Sequence, residues 1–352
     1  MNVANFYPGP SRVYSNITEF IYEAYMEGVM SANHRSAFFM EMMSETKAIL
    51  QEKLLIPADY EIAFTSSATE NWEIISQSLT KKGSFHFFNG DFGKKWFEYA
   101  QKLGNAHEKA FDINEELPDE LIGDGYDVIC VTQNETSNGT QVSNTLLKKL
   151  KDENPDKLLA VDVTSSLGGV IINFENADYW FGSTQKCLGL PAGLGVLILS
   201  PKAVEKAFEI NERNHYNSLV SLIENARKNQ TAYTPNVLGI YLLNRTQKVS
   251  KGIEHLEEKC LKRLMYYDEM LQKLAGFEYL VENEAVRSKT VLTLKYDDPA
   301  KLRKDSLQFG IELGAGYGAW KSSTFRIANF PAIKTKEIAK LTSYLEGKYL
   351  RS

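Results

Sequence analysis

The chain has 352 residues, 43% of them hydrophobic and 24% charged, with a formal net charge of −5. That length exceeds the ~250–300 residues that one core usually serves, so two domains are expected. The charge balance gives no electrostatic reason for nucleic acid or an anionic membrane as partner, and no apolar run nears the ~20 residues of a membrane span. The first residues carry no charged-then-apolar leader pattern, which predicts a cytoplasmic protein. Cys130, Cys187 and Cys260 are too scattered for a disulfide framework or a zinc site, and the histidines show no metal-ligand spacing, so no metal is expected.

Pro8-Gly9-Pro10 marks residues 1–15 as an extended arm. Helical spacing of apolar residues predicts helices at 17–28 and 39–54, separated by a polar loop through His34, Arg35 and Ser36. Residues 61–65 read as a strand, 66–69 as a turn of small residues and 70–79 as a helix. That order gathers backbone N–H groups and a positive helix end into an anion cradle, although Ser and Thr also favour plain helix caps. A strand at 84–88 ends in Asn89-Gly90-Asp91-Phe92-Gly93, where glycines flank an aromatic ring on which a planar heterocycle could stack. A helix at 94–103, strands near 106–111 and 127–132, a polar run at 133–139 and a helix at 145–153 follow.

The stretch 158–199 then pairs an acid with a lysine. The apolar run Leu158-Leu159-Ala160-Val161 ends on Asp162, and Lys186 lies further on, between Gln185 and a turn rich in Gly and Pro. An acid that keeps a pyridine nitrogen protonated and a lysine that forms a Schiff base are what pyridoxal 5'-phosphate needs. After the apolar run 195–199 come a helix at 201–210 and a polar connection at 211–232. Tyr233-Thr234-Pro235-Asn236 reads as the cap and first turn of a helix at 237–243. One long helical pattern spans 249–274 and ends at Gly276. The remainder predicts strand 290–296, helix 299–309, a glycine-rich loop 310–318, strand 324–329 and helix 335–350.

Strands alternating with helices predict an α/β fold. The expected architecture is a large domain with a mostly parallel sheet flanked by helices, at 16–245, and a small α+β domain at 246–352 that takes in the arm 1–15. The polar clusters at 66–69, 89–93, 133–139, 162–166 and 183–186 all fall at strand ends, where open α/β sheets collect ligands.

Six runs carry a resemblance: SSAT at 66–69, NGDFG at 89–93, NETSNG at 134–139, VDVTSS at 161–166, STQK at 183–186 and YTPN at 233–236. In this order they resemble the class V, fold-type I pyridoxal-phosphate-dependent aminotransferases. Asn134-Glu135-Thr136 with Gly139, His34-Arg35-Ser36, Gln185-Lys186 and Thr234-Pro235 are most similar to the phosphoserine aminotransferase branch. The resemblance extends from the Pro8-Gly9-Pro10 arm to Arg326.

It implies that Lys186 carries the cofactor and Asp162 binds its ring nitrogen, these two being catalytic. Phe92 would stack on the ring and Thr136 would lie by the phenolic oxygen. Backbone groups of Ala68 and Thr69, with Thr164 and Gln185, would hold the phosphate. Thr234 would reach the phosphate in the other subunit, which implies a homodimer with shared sites. Arg326 would clamp the substrate α-carboxylate in a bidentate pair, and His34 and Arg35 would meet a distal phosphate across the dimer. The implied activity moves an amino group between phosphoserine with 3-phosphohydroxypyruvate and glutamate with 2-oxoglutarate, a step of serine biosynthesis.

The chain departs from the branch in two places. The second basic pair expected shortly before Arg326 is absent from Tyr317-Gly318-Ala319-Trp320-Lys321, which leaves only Lys321, and a glycine-rich turn with an arginine is replaced by Ser66-Ser67-Ala68-Thr69. A class V enzyme acting on alanine or serine with glyoxylate or pyruvate would keep every cofactor residue and differ around Arg35 and Lys321. A cysteine desulfurase would need a cysteine within 310–330, where there is none. A Rossmann-type nucleotide-binding protein would need a G-x-G-x-x-G turn, and 65–69 holds no glycine.

Overall fold

Apolar runs of five residues become the inner strands of a seven-stranded sheet in the computed structural model, which describes residues 3–350. The outermost residues assigned to the arm and the small domain, Met1, Asn2, Arg351 and Ser352, lie outside the described residues. The arm gives β1 (Ala4–Phe6), followed by α1 (Ile17–Met26) and α2 (Ala37–Leu54). The Ser36 hydroxyl caps α2 by accepting the Phe39 N–H at 3.2 Å. Next come β2 (Glu61–Thr65), α3 (Glu70–Ser78), β3 (Ser84–Phe88), α4 (Asp91–Leu103), β4 (Ala106–Ala110) and β5 (Val128–Thr132). A short hairpin, β6 (Asn134–Glu135) and β7 (Thr140–Gln141), leads to α5 (Asn144–Glu153), β8 (Leu158–Asp162), β9 (Tyr179–Ser183) and β10 (Gly195–Leu199). Helices α6 (Pro201–Ile210), α7 (Leu219–Arg227), α8 (Val237–Val249) and α9 (Ile253–Lys273) follow. The chain closes with β11 (Glu278–Tyr279), β12 (Val291–Lys295), α10 (Pro299–Gln308), β13 (Ile311–Ala315), β14 (Thr324–Ala328) and α11 (Thr335–Tyr349).

The large sheet has the order β2-β10-β9-β8-β5-β3-β4, and only β10 runs antiparallel to its neighbours. Every residue of β8, β9 and β10 is buried, as expected of strands covered on both faces. Phe64, Val131 and Val161 face a core shared with α1, α2, α5 and α8, while Ala63, Cys130 and Ala160 face α3, α6 and α7. Burying a side chain the size of Phe64, Val131 or Val161 contributes about 1.5–3 kcal/mol. The α/β architecture with a mostly parallel sheet is therefore the one expected.

A second sheet, β1-β13-β14-β12-β11, forms the small unit, with Phe6, Tyr267, Leu313, Phe325 and Leu341 in its core. The arm belongs to it, because β1 pairs in parallel with β13 in the register Ala4↔Ile311. Helix α9 joins the two cores, with Ile253 and Leu256 in the larger and Tyr267 and Leu271 in the smaller.

Several local expectations are corrected. The glycine-rich segment 310–318 contains strand β13, whose alternating Ile311 and Leu313 are buried while the flanking glycines mask the pattern. The polar connection 211–232 contains α7, capped by the Ser218 hydroxyl and anchored by Leu219, Leu222 and Ile223. The long pattern 249–274 is helix α9, which starts later than expected, at Ile253 after Gly252, because α8 runs on to Val249. Asn236 is the N-cap of α8, accepting the Gly239 N–H at 2.8 Å, so Thr234 and Pro235 precede the helix. Helix α4 begins at Asp91, which puts Phe92 in its first turn instead of a bend before it. Strand β9 was not expected as a strand of its own; its run Tyr179-Trp180-Phe181 is fully buried.

Candidate active site

Five strand ends of the large sheet deliver side chains to one cleft. Ala68 and Thr69 follow β2, Phe92 follows β3, Thr136 follows β5, Asp162 ends β8, and Gln185 with Lys186 follow β9. Together with Thr164 and Arg326 they line a cleft of about 210 Å³. A wider groove of about 960 Å³ around Asp112, Tyr296 and Ser322 holds none of these residues. The smaller cleft is where buried charge is concentrated.

Lys186 is buried, and its Nζ donates to the Thr136 hydroxyl at 2.7 Å and the Ser165 hydroxyl at 2.9 Å. These two hydroxyls also hydrogen-bond each other. Burial lowers the lysine pKa to about 8, against the opposing pull of the Asp162 and Glu135 carboxylates. Asp162 is buried as well, and its Oδ1 accepts the Thr164 N–H at 2.8 Å. Burial pushes this carboxyl up, while hydrogen bonds from Thr164 and the Lys186 charge pull it down. Neither group is left in an ordinary state, the pattern expected where protons are moved.

Arg326 enters from β14 of the small unit. Its Nε donates to the Ala315 carbonyl at 2.7 Å and one terminal nitrogen donates to the Thr136 carbonyl at 2.7 Å, so one guanidinium spans both units. Glu135, also buried, caps α4: one oxygen accepts the N–H groups of Phe92 and Gly93 at 3.2 and 3.1 Å. Its other oxygen accepts from the N–H and hydroxyl of Ser137 at 2.9 and 2.7 Å. A carboxylate at a helix N-terminus is favoured by the helix dipole, and here it fixes the turn that presents Phe92. The Phe92 ring lies 5.3 Å from the Lys186 ammonium and stacks on Tyr317 at 5.2 Å and 27°.

The arm forms a further wall. Tyr7, Pro8, Gly9 and Pro10 line the cleft, and the Ser11 N–H donates to the Gln185 carbonyl at 3.1 Å. Gly9 has φ +150° and packs so closely that a Cβ there would stand 2.8 Å from Cε of Lys186. The atom displaced by a larger residue is thus next to the Lys186 amine, the group expected to carry the cofactor. We expect Gly9→Ala to lower kcat/KM about 100-fold, the usual effect of a ~1 Å misplacement at a reacting group. An L residue at φ +150° is strained even if the lysine end yields, so the variant should also melt a few degrees below wild type in a thermal scan.

The three residues expected to serve the other subunit's site, His34, Arg35 and Thr234, do not line this chain's cleft. Arg35 and Thr234 are exposed, and the Arg35 Nε donates to the His34 ring at 3.5 Å. Lys321 is exposed on the loop before β14 and does not line the cleft. In the turn after β2 the anion cradle is smaller than the sequence suggests. The N–H and hydroxyl of Ser66 both donate to the Glu70 carboxylate at 2.7 Å, and the Ala68 N–H donates to the Ser183 hydroxyl at 2.9 Å. Sequence reasoning missed Ser165, Tyr317 and Trp72. Ser165 sits in the same strand-end turn as Asp162 and Thr164 and could have been included on that ground, whereas nothing local marks Tyr317.

Pyridoxal phosphate fits this cleft on its donor set. Buried oxygens of Thr132 and Asn134 on the cleft wall have no hydrogen-bond partner among the described residues, and acid, amine, arginine and aromatic ring converge there. A mostly parallel sheet with buried charge gathered along one row of strand ends is the architecture of a fold-type I pyridoxal-phosphate enzyme.

Comparison with known proteins narrows the class. The model of the family described as "Aminotransferase class-V" matches residues 101–316, and the chain belongs to that family. It is a pyridoxal-phosphate-dependent aminotransferase similar to the phosphoserine aminotransferases. The phosphoserine aminotransferase of Rhodococcus opacus (strain B4) is 26% identical over 352 residues, covering 96% of this chain and 93% of that protein. The crystal structure of a phosphoserine aminotransferase from Cytophaga hutchinsonii superposes with a TM-score of 0.95 at 33% identity, covering 99% of both chains. Ureidoglycine–glyoxylate aminotransferase from Bacillus subtilis shares the fold, with a TM-score of 0.82 at 19% identity over 97% of this chain and 91% of that one.

Proposed function

We propose that this enzyme moves an amino group between phosphoserine with 3-phosphohydroxypyruvate and glutamate with 2-oxoglutarate, in the cytoplasm, as part of serine synthesis. The observation that carries the reading is the 33% identity over 99% of both chains to the Cytophaga hutchinsonii phosphoserine aminotransferase. The unit doing this is proposed to comprise a large domain at 16–245 and a small domain at 246–352 with the arm 1–15.

Pyridoxal phosphate, when bound, supplies the electron sink that makes the substrate α-carbon acidic. The protein's residues supply the rest. Asp162 would hold the ring nitrogen and keep its proton, and Phe92 would support the ring face. Ala68, Thr69, Thr164 and Gln185 would hold the cofactor phosphate, and Thr136 would lie beside the phenolic oxygen. Lys186 would carry the cofactor until substrate arrives. Its freed amine, held by the hydroxyls of Thr136 and Ser165, would then take the substrate α-proton and pass it to the cofactor carbon C4′ across the shared nitrogen. A lysine with its pKa near 8 is suited to both halves of that transfer. Arg326 would clamp the α-carboxylate, since its Nε and one terminal nitrogen are already anchored to Ala315 and Thr136.

His34, Arg35 and Thr234 lie outside this chain's own cleft, which supports a homodimer in which they complete the neighbouring site. Sedimentation of an active monomer would remove that part of the reading.

The substrate assignment is tested by measuring half-reactions of the wild-type enzyme with phosphoserine, serine, alanine and glutamate. Phosphoserine should exceed serine in kcat/KM by about 100-fold or more, because two charge-assisted hydrogen bonds to phosphate contribute ~1.5–3 kcal/mol each. Equal rates with the two would end the phosphoserine assignment and leave the class intact.

A further inference from the structure

We infer that Lys95, on α4, is a specificity-determining residue that receives the distal anion of the substrate, a phosphate or a side-chain carboxylate, at the rim of the cleft. The inference rests on the aminotransferase reading above and assigns a charge that the sequence pattern left unplaced. Lys321, the cation expected before β14, is exposed and away from the cleft lining. Lys95, on a different element, is not itself in that lining, but its Nζ reaches two side chains that are. Its Nζ donates to the Tyr317 hydroxyl at 2.6 Å and lies 4.9 Å from the Tyr317 ring centroid and 5.7 Å from that of Phe92. Both rings line the cleft.

Two further observations point to a ligand. Lys95 has no carboxylate within ion-pair distance among the described residues, whereas its neighbour Lys94 pairs with Glu98 at 3.9 Å. The hydrogen bond to Tyr317, with the Asp91 and Glu98 carboxylates adding to it from beyond ion-pair distance, holds the Lys95 pKa above the usual lysine range, so the group is charged whenever the enzyme works. The Arg326 guanidinium lies 5.4 Å from the same Tyr317 ring, which places a second cation beside one aromatic spacer. An amino acid carrying two anionic ends is the ligand that such a pair of cations selects. Lysine is a point charge without a fixed fork, so it serves phosphate and carboxylate alike, as a site that must accept both phosphoserine and glutamate requires. Tyr317 positions that charge, and as a donor it can share the anion.

The test uses holoenzyme with Lys95→Met and Lys95→Arg, measuring kcat and KM for phosphoserine, glutamate, serine and alanine. Lys95→Met should raise KM for phosphoserine and glutamate about 10- to 100-fold. It should leave kcat/KM for serine and alanine within about twofold, and Lys95→Arg should recover most of the loss. Equal losses on neutral and anionic substrates would show Lys95 to be only a latch between the two units and overturn the inference, as would no change on any substrate. The substrate assignment fails separately, on the wild-type ratio of phosphoserine to serine. The effect of Lys95→Met on glutamate decides the Lys95 inference whichever way that ratio falls.

Discussion

Lys186→Ala is expected to lose transamination by about 10⁴-fold or more, because in the proposed mechanism the substitution removes both the covalent anchor and the group that moves the proton. The protein should still fold, with reduced stability, because the buried Asp162 and Glu135 carboxylates lose the charge that opposes them while Arg326 stays nearby. Borohydride treatment followed by mass measurement of the intact protein should fix cofactor to wild type and not to the variant. Normal turnover in Lys186→Ala would remove this lysine from the chemistry. The same group predicts a pH profile. With its pKa near 8, the amine gains its reactive neutral form as pH rises through that value. The rate at which cofactor-free protein takes up pyridoxal phosphate should therefore rise about tenfold between roughly pH 7 and 9 and level off, where an ordinary lysine with a pKa near 10.4 would still be climbing about tenfold per pH unit. A flat profile across that window would mean that the amine is not the group being titrated.

Asp162→Asn is the second large effect. Asparagine keeps the shape and can still accept the Thr164 N–H, which now binds Oδ1 at 2.8 Å, so the strand end should be unchanged. What disappears is the negative charge that would hold a proton on the ring nitrogen. A loss of about 10²–10³ in kcat is expected, the usual result of removing one preorganised electrostatic partner of a transition state. The pH experiment supplies an independent check. The Asp162 charge raises the Lys186 pKa, so its removal should move the uptake midpoint below the wild-type value. An upward shift, or full activity, would contradict the assignment.

The large sheet was legible because its strands are short, continuous apolar runs between clear breaks, and each polar cluster sits where a strand must stop. Asp162 and Lys186 stood out for that reason: a charged residue beside a buried run either ends the strand or costs heavily to bury. Strand β13 was not legible, because glycines at 310, 314, 316 and 318 read as a loop while Ile311 and Leu313 pack inward. Nor was α7, whose buried Leu219, Leu222 and Ile223 alternate with Glu224, Asn225 and Arg227. Contacts such as Lys95 with Tyr317 and Gly9 with Lys186 join residues far apart in the chain. No local pattern of spacing carries them, and only the folded arrangement of both units brings them together.

The arm that walls the cleft has a consequence for the order of assembly. Strand β1 finds its partner, β13, near the opposite end of the chain, while Ser11 and Tyr14 bond to Gln185 and Gly189 on either side of Lys186. During synthesis the large sheet can be completed as soon as β10 emerges, but the arm has no edge to join until residues beyond 310 are made. Pairings this distant in sequence are slow to close. The lysine of a nascent chain is therefore uncovered on one side until synthesis ends. Cofactor retention should consequently be a property of the finished protein, and a chain that stops short of β13 should fold its large sheet yet hold its cofactor loosely.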